Sequence, residues 1–268
     1  MRRVQVIVSR KRALAIILAL AAVIGGIAAW LAFQPTRFAD GTPVWTSTIV
    51  DGAAGSPPPR LGPTAGYDAS SNRMMVFGGA AYNDVWVLSN ANGLGGTSVW
   101  TNTVAQGAAG SPLGRAGPTA VYDASSNRMM VFGGVSSNAV WVLSNANGLG
   151  GTSVWTNTVA QGAGMSSPWR GGHSAVYDAA SNRMVMFGGY NGTTYYNDVW
   201  VLSNANGLGG TPGWTNTVAQ GAAGSPLGRV QPAAVYDASG KRMILFGGDI
   251  FTTSYNDVWV LSNANATP

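Results

Sequence analysis

The sequence SNANGLGGTSVWTNTVAQGA occupies residues 89–108 and recurs without a change at residues 144–163. A close variant, SNANGLGGTPGWTNTVAQGA, occupies residues 203–222. The glycine pairs that precede these stretches, and a fourth pair near the end, lie 55, 55 and 59 residues apart, at 78–79, 133–134, 188–189 and 247–248. Self-similarity at a fixed period of this size indicates a repeat architecture, so each copy is expected to form one structural unit.

Each unit contains four short runs that predict β-strands. Examples are PTAVYD (118–123), RMMVFGG (128–134), DVWVLS (84–89) and SVWTNTV (98–104). These runs are rich in β-branched and aromatic residues, and Gly, Asn, Ser and Asp separate them. Residues 40–268 carry no helical period, so we expect an all-β fold.

The four glycine-pair runs, MMVFGG, MMVFGG, MVMFGG and MILFGG, each precede a strand that carries a tryptophan, and together they resemble the kelch motif. The match covers about residues 44–263. The resemblance implies a four-bladed kelch-type β-propeller with four antiparallel strands per blade. The blade repeats fall at about 44–99, 100–154, 155–213 and 214–263. Kelch propellers are usually larger, so four blades are a departure.

The two ends of the repeat region have complementary sequences. The stretch VWTSTIV (44–50) is a fourth-strand sequence without a blade of its own, and DVWVLSN (257–263) is a third strand without a fourth. If the first completes the last, sixteen strands close into a ring that protects its edges. We expect this closed monomer; the alternative is an open arc that closes by dimerising.

An uncharged run of 21 residues, 13–33, precedes the repeats. At a rise of ~1.5 Å per residue it is long enough to cross a hydrocarbon core of ~30 Å. Basic residues crowd its N-terminal side, so the positive-inside rule places residues 1–12 in the cytoplasm as a basic tail. We therefore expect a membrane anchor at 13–33, a linker at 34–43 and an extracytoplasmic propeller at 44–268. A cleaved signal peptide is the alternative, and it too exports the domain.

Composition excludes several classes of function. The chain has no cysteine, which rules out disulfides, thiolate catalysis and Cys-ligated metals. The net charge of +5 comes from the N-terminal tail, because from Arg37 onward ten basic residues meet ten aspartates. A neutral domain lacks the phosphate-neutralising surface that nucleic-acid binding requires. The sequence indicates no cofactor.

One arginine stands just ahead of the first strand of every repeat, and the resemblance implies that these residues line the mouth of the central channel. They are Arg60, Arg115, Arg170 and Arg229. Guanidinium forks at a shared pocket could bind carboxylates, sulfates or an acidic loop, which makes them the first ligand-binding candidates. The alternative is structural: each arginine caps backbone carbonyls or pairs with an aspartate between blades.

The third repeat departs from the others beside its arginine. Trp169 replaces a glycine found at 114 and 228, and His173 stands where the other repeats have proline. We add Trp169 and His173 to the candidate binding residues, because with Arg170 they would place an aromatic face, a cation and an imidazole on one rim. Longer loops in repeats three and four would add the aromatic residues Tyr190, Tyr195, Tyr196, Phe251 and Tyr255. The alternative is ordinary loop packing.

Two sets of aspartates are expected to be structural. Asp68 and Arg73, and their counterparts in each repeat, flank a tight turn and should face each other across a hairpin with modest energy. The aspartates of the NDVW motif should satisfy loop backbone donors; the second repeat has Ala139 there.

Enzyme functions fit poorly. The copper site of kelch-type radical oxidases needs a cysteine and two histidines, and this chain has no cysteine and one histidine. No nucleophile elbow is present for serine hydrolysis. We therefore expect an exported binding module that captures a protein or an acidic glycan at the propeller rim. The alternatives are a sialic-acid mutarotase or epimerase, and a surface spacer without a ligand.

Overall fold

The computed structural model describes residues 43–134, 136–163 and 167–266. The predicted anchor at 13–33 lies outside these residues, and none of the residues within them forms a helix that could span a membrane. Contacts divide the chain after Ser47, and all the strands lie in the unit that begins at Thr48.

The described residues form fifteen strands in four antiparallel sheets. The strands of the first two sheets are β1 (Thr64–Asp68), β2 (Arg73–Phe77), β3 (Val85–Ser89), β4 (Val99–Val104), β5 (Thr119–Asp123), β6 (Arg128–Phe132), β7 (Val140–Ser144) and β8 (Val154–Val159). Those of the last two are β9 (Ser174–Asp178), β10 (Arg183–Phe187), β11 (Val199–Ser203), β12 (Gly213–Val218), β13 (Ala233–Asp237), β14 (Arg242–Phe246) and β15 (Val258–Leu261). The predicted all-β four-bladed propeller built of four-stranded blades is confirmed; the described part of the fourth blade contains three strands.

The first strands of successive blades lie side by side and form the inner wall of the propeller. β1 packs against β5, β5 against β9, and β9 against β13. Backbone hydrogen bonds link the blades at this level: Gly117 N–H donates to Gly62 O over 3.2 Å, and Gly172 N–H donates to Gly117 O over 3.3 Å. The loops that precede the inner strands are therefore held in a row along one face.

Aromatic pairs join one blade to the next. Trp155, on the fourth strand of the second blade, meets Phe77 of the first blade edge to face, with ring centroids 5.0 Å apart. The ring of Trp214 in the third blade lies 4.8 Å from that of Phe132 in the second, with the two planes tilted by 59°. Such pairs contribute beyond their buried area, so the repeated tryptophans determine how the blades stack.

The hairpin residues Asp68 and Arg73 make contacts between blades that the sequence did not predict. The register opposes Asp68 and Arg73, as predicted, but the two do not form an ion pair. Asp68 accepts hydrogen bonds from Ser70 and Ser71 and from the Asn147 amide of the next blade, the last over 2.7 Å. Arg73 donates to the carbonyl of the same Asn147 over 3.3 Å. The turn thus fastens one blade to the next.

Burial alone would raise the pKa of Asp68, but these hydrogen bonds hold it well below its usual range. The contact to the following blade recurs twice, where Asn206 donates to Asp123 and Asn265 donates to Asp178. The hairpin aspartates are therefore structural, and in the first three blades their interblade partners are asparagines rather than the arginines across the turn; among the residues that the structure describes, Asp237 of the fourth blade accepts only from Ser239 and Gly240 of its own turn.

The predicted pairing of 44–50 with the last blade is not formed. No strand is assigned over those residues, and β15 is the outer strand of its sheet. Val258 and Val260 are 64% and 52% exposed, whereas their counterparts Val199 and Val201 are 4% and 0% exposed.

The contact that Thr48 makes with the first blade shows which position it occupies. A Cβ built on Gly93 would lie 3.1 Å from the Thr48 methyl carbon, and one built on Gly148 would lie 3.2 Å from that of Thr103. Thr48 therefore packs beside the first blade as a fourth-strand residue of a preceding blade would. The closure expected from the sequence is therefore wrong for the described residues: β15 ends its sheet without a fourth strand, although Thr48 lies beside the first blade where a residue of such a strand would lie.

Candidate functional site

The glycine pair that closes each second strand makes room for the arginine of its blade. Gly79 has a φ of +96°, which favours glycine, and a Cβ there would lie 2.9 Å from the Cβ of Arg60. Arg60 passes this point and donates from Nη1 to the carbonyl of Gly78 over 3.0 Å. Each arginine is thus inserted into its own blade by the motif on which the family resemblance rests.

In three blades the guanidinium meets a carboxylate and a tryptophan. Arg170 donates from Nη1 and Nη2 to the two oxygens of Asp198 over 2.5 and 3.1 Å. Trp200 Nε1 donates to Asp198 Oδ2 over 2.8 Å. We call this arrangement the arginine clamp; it recurs in the sets Arg60, Asp84, Trp86 and Arg229, Asp257, Trp259.

A tyrosine covers the guanidinium in each of these three clamps. The guanidinium carbon of Arg170 lies 3.7 Å from the ring centroid of Tyr196, and that of Arg229 lies 4.2 Å from the ring centroid of Tyr255. Arg170 is fully buried and Arg229 is 2% exposed. In Arg60, Arg170 and Arg229 the donors are therefore used inside the blade, as in the structural alternative, and the structure does not present them to a ligand.

The second blade has the clamp without its carboxylate. Arg115 is 6% exposed and donates from Nε to Leu113 O and from Nη1 to Gly133 O and to the Ser137 hydroxyl. Ala139 stands where the other blades have aspartate. Within the described part of the chain, neither Nη2 of Arg115 nor Nε1 of Trp141 makes a hydrogen bond.

A cleft of about 400 Å³ opens at this point of the second blade. Its lining includes Arg115, Ser136, Ser137, Ala139, Trp141 and Gln161. Burial lowers the pKa of Arg115, yet an arginine remains charged at physiological pH. The three ion pairs found among the described residues belong to the other blades. Arg115 is thus a buried cation without a carboxylate partner in the described chain.

His173 is a packing residue. It is 5% exposed, and its ring centroid lies 5.0 Å from that of Phe132 in the preceding blade. Burial, and after it the charge of Arg170, lowers the pKa of His173 to about 3. The imidazole is therefore neutral and turned into the core, so it does not share the rim predicted for it beside Trp169.

Trp169 is the exposed member of that predicted group, with 38% of its surface accessible. It approaches the loop of the third blade, because a Cβ on Gly192 would lie 3.7 Å from its ring. In that loop Tyr190 and Tyr195 stack with centroids 4.5 Å apart, and Phe251 of the fourth blade meets both at 5.6 Å. We call Trp169, Tyr190, Tyr195 and Phe251 the aromatic rim.

Sequence reasoning found the residues of the rim but treated the five long-loop aromatics as one surface, whereas the structure separates them into two groups. Tyr196 and Tyr255 cover arginines, while Tyr190, Tyr195 and Phe251 come together between the third and fourth blades. It also missed the pairing of the NDVW aspartates with the arginines. The sequence did contain a signal for this pairing, because the second repeat has Ala139 in place of the aspartate of the NDVW motif. No group of metal-ligating side chains occurs among the residues placed by the structure.

Comparison with known proteins agrees with this architecture. The family model of the KLHDC2/KLHL20/DRC7 Kelch-repeats domain matches residues 81–267. Among solved structures, one titled "Structure of YjhT" superposes with a TM-score of 0.56 at 17% sequence identity. The match covers 81% of this chain and 65% of that chain, so this chain spans about two thirds of the length of that structure. No curated protein matches the chain.

Proposed function

We propose, from the premise that the chain belongs to the Kelch-repeats domain family, that it is a binding module and that its aromatic rim captures a protein or an acidic glycan. Kelch propellers are typically protein-binding modules, and the rim is the surface that suits such a role here. Export through residues 13–33 is part of the proposal and rests on the sequence.

The observation that carries the proposal is a set of packed aromatic rings, of which two are exposed and two half-buried tyrosines are held by hydrogen bonds. Phe251 is 70% exposed. The Tyr195 hydroxyl donates to Ile250 O over 2.9 Å, and the Tyr190 hydroxyl donates to Gly192 O over 2.5 Å. Rings fixed in this way lose little conformational freedom on binding, and an exposed apolar patch of this kind marks an interaction site. Their faces can stack on an apolar side chain or on the C–H face of a sugar.

The test is a pull-down with the full chain in detergent, using solubilised surface proteins and glycans as separate prey. The double variant Trp169→Gly and Phe251→Ala removes the two exposed members of the rim, and glycine already occupies the position of Trp169 in two other repeats. Leu94→Ala is the matched control, because Leu94 is an apolar residue of the first blade that is 72% exposed. A partner retained by the control and lost by the double variant supports the rim; equal capture by both refutes it.

The mutarotase or epimerase hypothesis requires a titratable group that faces a sugar. The chain's single histidine, His173, is buried and neutral, so its placement lends no support to that hypothesis. The direct assay is anomeric interconversion of a sialic-acid-like sugar, followed by NMR. Turnover by the wild-type chain would replace the binding proposal with an enzymatic one. A chain that neither binds nor turns over any of these ligands would instead fit the spacer hypothesis.

A further inference from the structure

We infer that the second blade carries a carboxylate-binding site, formed by Arg115 and Trp141 in the place that an aspartate fills in the other three blades. The site lies apart from the aromatic rim, so either can fail without the other. Its ligand is a carboxylate on an acidic side chain of a partner protein.

The other blades define the geometry of the occupied state. In the third blade, Arg170 donates from Nε to Pro168 O and from Nη1 to Gly188 O, and these bonds fix the orientation of the fork. The remaining donor, Nη2, faces Asp198 Oδ2, and Trp200 Nε1 converges on the same oxygen. One carboxylate thus satisfies an arginine and an indole at once.

The second blade holds the same donors in the same way. Arg115 donates from Nε to Leu113 O over 3.1 Å and from Nη1 to Gly133 O over 3.0 Å, the equivalents of the two carbonyl contacts above. Trp141 occupies the second position of β7, as Trp200 does in β11. The fork and the indole therefore converge on a common point, and Ala139 leaves that point without the carboxylate.

The hydroxyl of Ser137 takes the place of one of the two carboxylate oxygens that Ala139 lacks, but it does not supply the negative charge. Its hydroxyl accepts from Arg115 Nη1 over 3.0 Å and donates to Gln161 Oε1 over 3.1 Å. A neutral hydroxyl leaves the buried guanidinium without a counter-charge, and an uncompensated buried charge is costly. An anion that enters the cleft gains this interaction without displacing a protein carboxylate.

The arrangement of the donors favours a carboxylate. The bound group must accept from Arg115 Nη2 and from the indole N–H of Trp141. In the other blades the group at this position is the carboxylate of an aspartate, which is planar and has two oxygens. Fork-to-carboxylate pairing is the strong, directional form of such an interaction. The cleft opens beside Ala139 and Trp141, so an acidic side chain can enter from outside.

The experiment uses the full chain in detergent and follows the indole N–H signal of Trp141 by NMR, assigned with Trp141→Phe. Ala139→Asp restores the residue of the other repeats, and we expect it to move the Trp141 signal to a carboxylate-bound position. Titration of the wild-type chain with acetate, and with acetyl-Gly-Asp-Gly-amide, should move the signal toward that same position and saturate. The Ala139→Asp chain should not respond.

Each of the remaining outcomes would overturn the inference. One is an Ala139→Asp chain in which the Trp141 signal moves, while the wild-type chain ignores both probes at about 100-fold excess. Another is an Ala139→Asp chain whose signal does not move, which would mean that the cleft does not seat a carboxylate. The amide-matched peptide acetyl-Gly-Asn-Gly-amide is the control, and an equal response to it would exclude recognition of charge. Glucuronate tests the other source of a carboxylate, and a response to it without one to the peptide would refute a protein ligand.

Discussion

Removing the carboxylate of the third arginine clamp should be among the most damaging single changes in the propeller. Asp198→Ala leaves Arg170 as a fully buried cation without its ion-pair partner, and it also leaves Trp200 Nε1 without its acceptor. Breaking a buried pair by removing one partner costs about 3–5 kcal/mol. For a domain of this size each 1 kcal/mol lowers Tm by about 2–4 °C, so the expected loss is about 6–20 °C.

The fourth clamp provides the control for this prediction. The Asp257 side chain is 38% exposed, against 6% for Asp198, so solvent can replace much of what Asp257→Ala removes. Thermal and denaturant unfolding of the two variants should therefore differ clearly, with Asp198→Ala the less stable. If both lose the same stability, or if Asp198→Ala loses less than about 1 kcal/mol, burial of the clamp is not what determines its contribution.

Three further predictions follow from packing and charge. The pKa of His173 is about 3 in the folded chain and 6.5 in the unfolded chain, so the unfolded chain binds the proton more tightly and the free energy of unfolding should fall as the pH drops from 6.5 toward 3. In His173→Pro, which copies the other blades, the denaturant midpoint should change less between pH 6.5 and pH 4.5 than in the wild-type chain, and an equal change would contradict this. Trp155→Ala should lower the free energy of unfolding by about 3–5 kcal/mol, measured with denaturant. Trp100 is less buried, so Trp100→Ala should lower it by less, and equal losses would contradict the role of the inter-blade pair. The exposed outer strand of the last blade should promote self-association. The double variant Val258→Lys and Val260→Lys should therefore have a molar mass by light scattering that is closer to the monomer than that of the wild-type chain, and an unchanged mass would refute this.

The fold was predictable because its signals are local and repeated. Apolar and polar residues alternate along each strand, and the tight turn between Asp68 and Arg73 sets the hairpin register over a few residues. Asn72 adopts a φ of 52° at that turn, a conformation that asparagine tolerates. Four copies in sequence then predict four blades, since each copy repeats the same short-range choices.

The binding candidates were less predictable, because repetition shows that a position matters without showing what it contacts. The repeat singled out the arginines as a set, yet their aspartate partners lie 24 to 28 residues away along the chain. Whether a guanidinium faces solvent or its own blade depends on the glycine pair that admits it. The replacement of one aspartate by Ala139 becomes informative only when the three occupied clamps are seen beside it.

By itself the sequence determined the strands, their hairpin register and the number of blades, since each depends on contacts within one repeat. Only the tertiary structure decided what lies between repeats. It turned His173 into the core, left β15 without the fourth strand predicted from 44–50, and gave three hairpin aspartates partners in the next blade. The physical reason is that packing between blades joins residues far apart in the chain, and their positions follow from the curvature of the whole row rather than from any local pattern.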